Sequence, residues 1–171
     1  MLYKLELSEK CGESACLAIE QDMMVIYIDV IEGPDSILKV MQRIGKSAPL
    51  HCTGVGKVLL LNYEEKKIDE LISSKGLPAF TQNTITSKEK LFLELDKIRD
   101  CGYSLDNEEC EIGARCISTP ILDYTGKIIA SISLTGPVSR MTMKRISTIK
   151  DIIKKTSNEV SNMLAFDKNK K

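Results

Sequence analysis

The chain has 171 residues, 43% of them hydrophobic, with 24 lysines and arginines against 24 aspartates and glutamates. That length supports one domain with one ordinary core, and folding at this size buries roughly 70% of the surface of the unfolded chain. A domain that grips DNA phosphates needs a basic face, so the neutral balance makes nucleic acid a poor first choice of partner for this chain alone, and no apolar run reaches the ~18 residues of a membrane span.

No basic start precedes an apolar stretch, so no signal peptide is read and the cytoplasm is expected. The tail lysines Lys168, Lys170 and Lys171 read as a solvated terminus. Six cysteines (Cys11, Cys16, Cys52, Cys101, Cys110, Cys116) form no C-x-x-C, and His51 is the one histidine. The usual zinc spacings are therefore missing, no metal or cofactor is expected, and reduced thiols serve as small apolar fillers.

In chain order, residues 1–7 suit the last turns of a helix, with Met1 and Leu5 on one face. Residues 13–20 and 23–32 read as two strands about a turn at Gln21-Asp22, and 37–44 as a third. Three helices follow: 54–61 with Thr53 as N-cap, 64–74 stopped by Gly76 and Pro78, and one capped by Ser87 and ended by Gly102. A short strand from Tyr103, a polar loop and a hairpin of 115–122 with 127–135 come next. A helix from about Met143 closes the chain, with Ile146, Ile149, Ile153, Val160 and Met163 at helical spacing. Strands and helices are not regularly interleaved, so an α+β domain with an antiparallel sheet fits better than a parallel one.

The stretch APLHCTGVGKVLLL, residues 48–61, is not a phosphate loop. The first glycine of G-x-x-x-x-G-K-[ST] would fall on His51, and Val58 replaces the final Ser or Thr. Two readings of Gly54 and Gly56 stand: close packing of a helix on a sheet, or an open helix start whose amides of Gly54 and Val55 receive a carboxylate. In residues 128–135, Ile128, Ala130, Ile132 and Leu134 share one face, and Ile129, Ser131, Ser133 and Thr135 the other. That hydroxyl face meets either solvent or a ligand. A two-residue loop at Tyr124-Thr125 would place Cys116 opposite Ser133 and Ala114 opposite Thr135; a three-residue loop would turn Cys116 to the other face. The even loop predicts a small-residue patch with room for a small polar ligand.

Residues 49–142 resemble the effector-binding domain of the IclR family of bacterial transcriptional regulators. The resemblance rests on PLHCTGVGKVLL, GLPAFTQNTIT, IRDCGYSLDNEECEIGARCISTPILDYTG and ISLTGPVSRMT, in that order. It implies a GAF-like α+β fold, an antiparallel sheet of about six strands flanked by helices. It also implies a small-metabolite sensor, often for a carboxylic or aromatic acid or a sugar-acid derivative, which forms homodimers or tetramers. Such domains follow a separate winged helix-turn-helix domain that binds DNA. Residues 1–171 are expected to be the single effector-binding domain alone, either cut from a longer regulator or free-standing. The pocket positions implied are Gly54 and Val55 at the helix start, Asp106, Cys116 with Ala114 before it, and the hydroxyls Ser133 and Thr135. An apolar wall falls on Ile37, Val40 and Ala48. Thr135 stands where serine is common, which adds a methyl.

Asp106 would repel an anion if ionised, so it is expected either to meet a ligand hydroxyl or to be protonated. A thiol–imidazole pair from His51 with Cys52 or Cys116 would make an enzyme, but no carboxylate orients His51 and no catalytic role is expected. A metal held by His51, Asp106 and Cys116 is a variant of that idea. A third reading is a dimerisation module with a vestigial pocket; the last helix, Met143 to Leu164, packs on its own sheet by default, the alternative being a partner. Glu108, Glu109 and Glu111 are expected to be solvated, Arg115 and Arg140 to tie loops to carbonyls, and residues 81–86 to cover the pocket or cross the surface.

Overall fold

The computed structural model describes residues 2–33 and 43–164. The tail lysines, Ile37 and Val40 lie outside the described residues, as does the strand expected at 37–44 apart from Arg43 and Ile44, which are not in a strand.

The elements are α1 (Leu2–Cys11), β1 (Ser14–Gln21), β2 (Met24–Ile31), β3 (Ser47–Ala48), α2 (Gly54–Leu59) with a short 3-10 turn (Leu60–Asn62), α3 (Glu65–Lys75), α4 (Lys88–Cys101), β4 (Ser104–Asn107), β5 (Ala114–Leu122), β6 (Ile128–Pro137) and α5 (Met143–Met163). The strands form one sheet in the order β3-β2-β1-β6-β5-β4, antiparallel throughout. The fold is thus the expected α+β sheet of six strands. The third strand sits at Ser47–Ala48, where Ala48 pairs with Val25.

Each face of the sheet carries its own core. On one, Val55, Val58 and Leu59 of α2, Ile68 and Leu71 of α3 and Leu91, Leu95 and Ile98 of α4 pack with Cys16, Ala18, Val25 and Tyr27. On the other, Leu7 and Cys11 of α1 and Ile146, Ile149 and Ile153 of α5 cover Ile117, Ile121, Ile132 and Leu134. The last helix therefore packs on its own sheet, as its three-four spacing requires. The Ser161 hydroxyl on α5 also accepts from the Leu122 amide at 2.9 Å.

Local chemistry sets the boundaries. Thr53, Ser87 and Thr142 cap α2, α4 and α5 by accepting from Gly56, Lys90 and Arg145 amides. The turn between β1 and β2 falls one residue later than expected, on Asp22 and Met23, both at positive φ. A two-residue turn matched to the strand twist needs two such residues.

The hairpin of β5 and β6 departs from expectation in a consequential way. The Asp123 amide donates to the Lys127 carbonyl and Leu122 pairs with Ile128, so the loop has three residues, closed by Gly126 at φ 83°. A register shift between Ile121 and Leu122 then inserts one more residue on β6. A bulge of this kind reverses side-chain alternation, and here it undoes the inversion that the longer loop introduces. Cys116 accordingly lies opposite Thr135 rather than Ser133, Ala114 opposite Pro137, and Ser118 opposite Ser133. The bulge also separates Ile128, which packs with the α2–α4 core, from Ala130, Ile132 and Leu134 on the α5 side.

Arg115 donates to the Met141 carbonyl at 2.5 Å. Arg140 joins Arg145 in clamping the carboxylate of Glu13, which is 1% exposed, at 2.8 and 3.0 Å.

Candidate functional site

The start of α2 lies directly on the sheet. A Cβ added at Gly54 would stand 2.6 Å from Ser118 Oγ and 3.2 Å from Cys116 Sγ, and one at Gly56 would strike the Leu50 backbone. Both glycines therefore serve close packing. The Ser104 hydroxyl donates to the Gly54 carbonyl at 2.5 Å and ties β4 to the same point. Gly56 and Lys57 amides are used by Thr53, through its side chain and carbonyl respectively. Gly54 and Val55 are the first residues of α2, where opening amides have no partner within the helix itself.

Beside these amides is a cavity of about 270 Å³ lined by residues that include Gly54, Val55, Ala48, Asp106, Ala114, Cys116 and Thr135. Seven of the ten expected positions are thus brought together. Ser133 is not in the lining: it is fully buried behind it, 2.8 Å from the thiol of Cys16 on β1. The hydroxyl face of β6 is not turned to solvent, since Ser131, Ser133 and Thr135 are all buried.

Asp106 is the titratable group that gives the cavity its character. Burial pushes its pKa up, and nearby Glu109 adds to this. The backbone amides of Glu109 and Cys110 and the Lys57 ammonium pull the other way, and the result is about 7. Its Oδ1 accepts from those two amides at 2.8 and 3.4 Å. Asp106 therefore holds its proton far above the range of an ordinary aspartate, and can offer an acceptor or a donor to what binds.

Lys57, which looks like the lysine of a phosphate loop, is a tether. It is fully buried and donates to Glu94 at 3.0 Å, to the Leu105 carbonyl at 2.6 Å and to Glu109 at 2.6 Å. Burial alone would lower its pKa, but Glu109 and Glu94 outweigh that and raise it. Glu109 is thus a buried ion-pair partner, contrary to the expectation that it is solvated. The 81–86 segment neither lids the cavity nor merely crosses the surface. Its Thr81 and Thr84 hydroxyls donate to the Glu108 and Glu109 carbonyls, each at 2.6 Å, and brace the 106–111 loop.

Tyr27, Lys46, Phe80, Cys110 and Glu111 complete much of the wall. Alternation along β2 signals that Tyr27 faces inward, whereas the loop residues carry no periodic signal. His51 belongs to the scaffold: Nε2 lies 3.0 Å from the Pro78 carbonyl, and burial lowers its pKa. No group of three or more His, Cys, Asp or Glu able to hold a metal occurs among the described residues, and no described helix is long and apolar enough to cross a membrane.

Comparison with known proteins agrees with this architecture. The family described as "Bacterial transcriptional regulator IclR C-terminal" matches residues 3–162. The transcriptional repressor AllR of Escherichia coli K12 is 32% identical over 155 residues, covering 91% of this chain and 57% of the relative. The chain therefore spans little more than half the length of that relative. The crystal structure of the Thermotoga maritima IclR superposes with a TM-score of 0.89 at 34% identity, covering 96% of this chain and 66% of the other. A double mutant of the PobR inducer-binding domain from Acinetobacter, solved with 3-hydroxybenzoic acid, gives 0.86 at 25% identity and covers 95% of each chain. These relatives are transcription regulators, not enzymes, in line with the expectation of no catalytic role.

Proposed function

This chain belongs to the C-terminal domain family of IclR-type bacterial transcriptional regulators, and from that premise we propose that it senses a small organic acid and conveys its presence to a DNA-binding domain. The observation that carries the reading is the cavity itself. Gly54 and Val55 at the start of α2 line it together with Thr135 and Cys116, and a carboxyl with a pKa near 7 stands at its side.

The ligand carboxylate sits against the two amides, where orphan N–H groups favour negative charge. Thr135 donates to a further ligand oxygen. Asp106 accepts from a ligand hydroxyl when ionised, or donates to a ligand oxygen when protonated. Ala48, Ala114 and Tyr27 shape the remainder. The binding of a hydroxybenzoic acid by the doubly mutated PobR domain supports an acid as the class. The assembly is a cytoplasmic homodimer or tetramer, and DNA is reached through a helix-turn-helix domain of the whole regulator.

A thermal-shift screen of 2-oxo acids, sugar acids and aromatic acids tests the reading. Binding stabilises the folded state by RT ln(1 + [L]/Kd), about 2.7 kcal/mol at a hundredfold excess over Kd. One class is expected to raise the melting temperature of the wild type and to lose that effect in Ala114→Leu, whose added side chain fills the cavity. No shift from any class contradicts the proposal.

A further inference from the structure

On the footing that the chain senses a small organic acid, we propose that the cavity selects acids that also carry a protonated amine, and that the Asp106 carboxylate receives that amine. The balance of charge in the cavity wall points to this chemistry. Asp106 is 9% exposed and lines the cavity. The bonds it accepts from the Glu109 and Cys110 amides both reach the same oxygen, Oδ1, at 2.8 and 3.4 Å. Those amides are dipoles and supply no countercharge.

The buried cation beside it is already committed. The Lys57 ammonium is bonded to two carboxylates, Glu94 at 3.0 Å and Glu109 at 2.6 Å, so this trio is negative before Asp106 is counted. Glu109 Oε2 is buried and has no hydrogen-bond partner among the described residues. Lys46 is the one cationic side chain in the described lining, and it is exposed and offset by the equally exposed Glu111. An ionised Asp106 therefore adds an uncompensated charge to a buried wall that is already negative. Burial raises the pKa of Asp106, to about 7, and raises that of Glu109, and Lys57 only partly offsets either.

A proton supplies the missing positive charge in the protein by itself, and a ligand ammonium supplies it in the complex. A plain acid brings one more negative charge and nothing to balance Asp106. An acid with an amine brings both signs. The ammonium donates a charge-assisted bond, roughly twice as strong as the neutral bond of an alcohol. Two aromatic side chains, Tyr27 and Phe80, also line the cavity, and an aromatic face attracts an ammonium more than a neutral hydroxyl.

Calorimetry on the full chain at neutral pH, with acids paired so that only the amine and the alcohol differ, tests this. The pairs are glycine with glycolate, β-alanine with 3-hydroxypropionate, and 4-(aminomethyl)benzoate with 4-(hydroxymethyl)benzoate. At least one amine is expected to bind about tenfold or more tightly than its alcohol, the margin of a bond to a charged group over a neutral one. Asp106→Asn keeps an oxygen for the two amides but carries no charge, and should cut that ratio severalfold. Alcohols that bind as well as their amines overturn the proposal and leave the sensor reading standing. An amine preference that Asp106→Asn does not reduce also overturns it, as does binding confined to acids that lack an amine. Silence of every acid, paired or screened, sinks the sensor reading along with it. A melting curve checks that Asp106→Asn folds, and the wild-type ratios decide the selection without it.

Discussion

The ammonium of Lys57 lies 2.6 Å from the carboxylate of Glu109, with the lysine side chain 0% and the glutamate side chain 9% exposed. This pair joins α2 to the 106–111 loop, and so holds two walls of the cavity at a fixed separation. Removing one member of a buried pair strands the other charge and costs about 3–5 kcal/mol. Lys57→Met is expected to lose that much in urea unfolding, and Lys57→Met with Glu109→Gln to recover part of it. A loss under about 1 kcal/mol in the single variant would mean that the pair is not structural.

Gly54 lies against Ser118 so closely that a methyl would stand 2.6 Å from its hydroxyl. Overpacking of this sort costs about 1–3 kcal/mol. Gly54→Ala should lower stability in that range, and Gly54→Ala with Ser118→Ala should regain part of it by removing the hydroxyl. Because the fold itself is disturbed, substitution at Gly54 is a poor probe of binding. Equal melting temperatures for wild type and Gly54→Ala would show that the approach of α2 to β5 is slack.

Asp106 makes stability depend on pH. Its carboxyl has an ordinary value of 3.8 when the chain is unfolded and about 7 when folded. Between these values the folded chain binds more protons than the unfolded chain. Stability from this group is therefore complete below pH 3.8 and declines as pH rises to about 7, by at most about 4 kcal/mol. Asp106→Asn keeps an oxygen for the Glu109 and Cys110 amides and should flatten that slope in denaturation curves recorded across the window. An unchanged slope would assign the pH dependence to other groups.

Thr135 tests the hydroxyl side of the cavity. Thr135→Val conserves shape and removes the hydroxyl, and one lost hydrogen bond is worth about 1 kcal/mol. Calorimetry with the acid found by screening should show Kd rising several-fold. If affinity is unaltered, the hydroxyl does not touch the ligand.

Much of this arrangement is legible in the residues. The caps at Thr53, Ser87 and Gly102 mark helix ends because each satisfies or turns a specific backbone group. The convergence of Gly54, Cys116 and Thr135 is expected from the family resemblance and from alternation along the hairpin. The register itself is not legible, because the three-residue loop and the bulge near Ile129 each shift the parity and together restore it. Lys57 and Glu109 escape a local reading because their burial depends on partners 52 positions apart in the chain. Ser133 shares a face with Thr135, yet its neighbour Cys16 comes from β1 and occupies it behind the cavity, a cross-strand relation that no short motif encodes.

The most direct measurement is a crystal structure of the protein with the acid that most raises its melting temperature. The ligand carboxylate is expected within hydrogen-bonding distance of the Gly54 and Val55 amides, with Asp106 and Thr135 on its other polar atoms. An acid lodged elsewhere, with those two amides facing water, would contradict it.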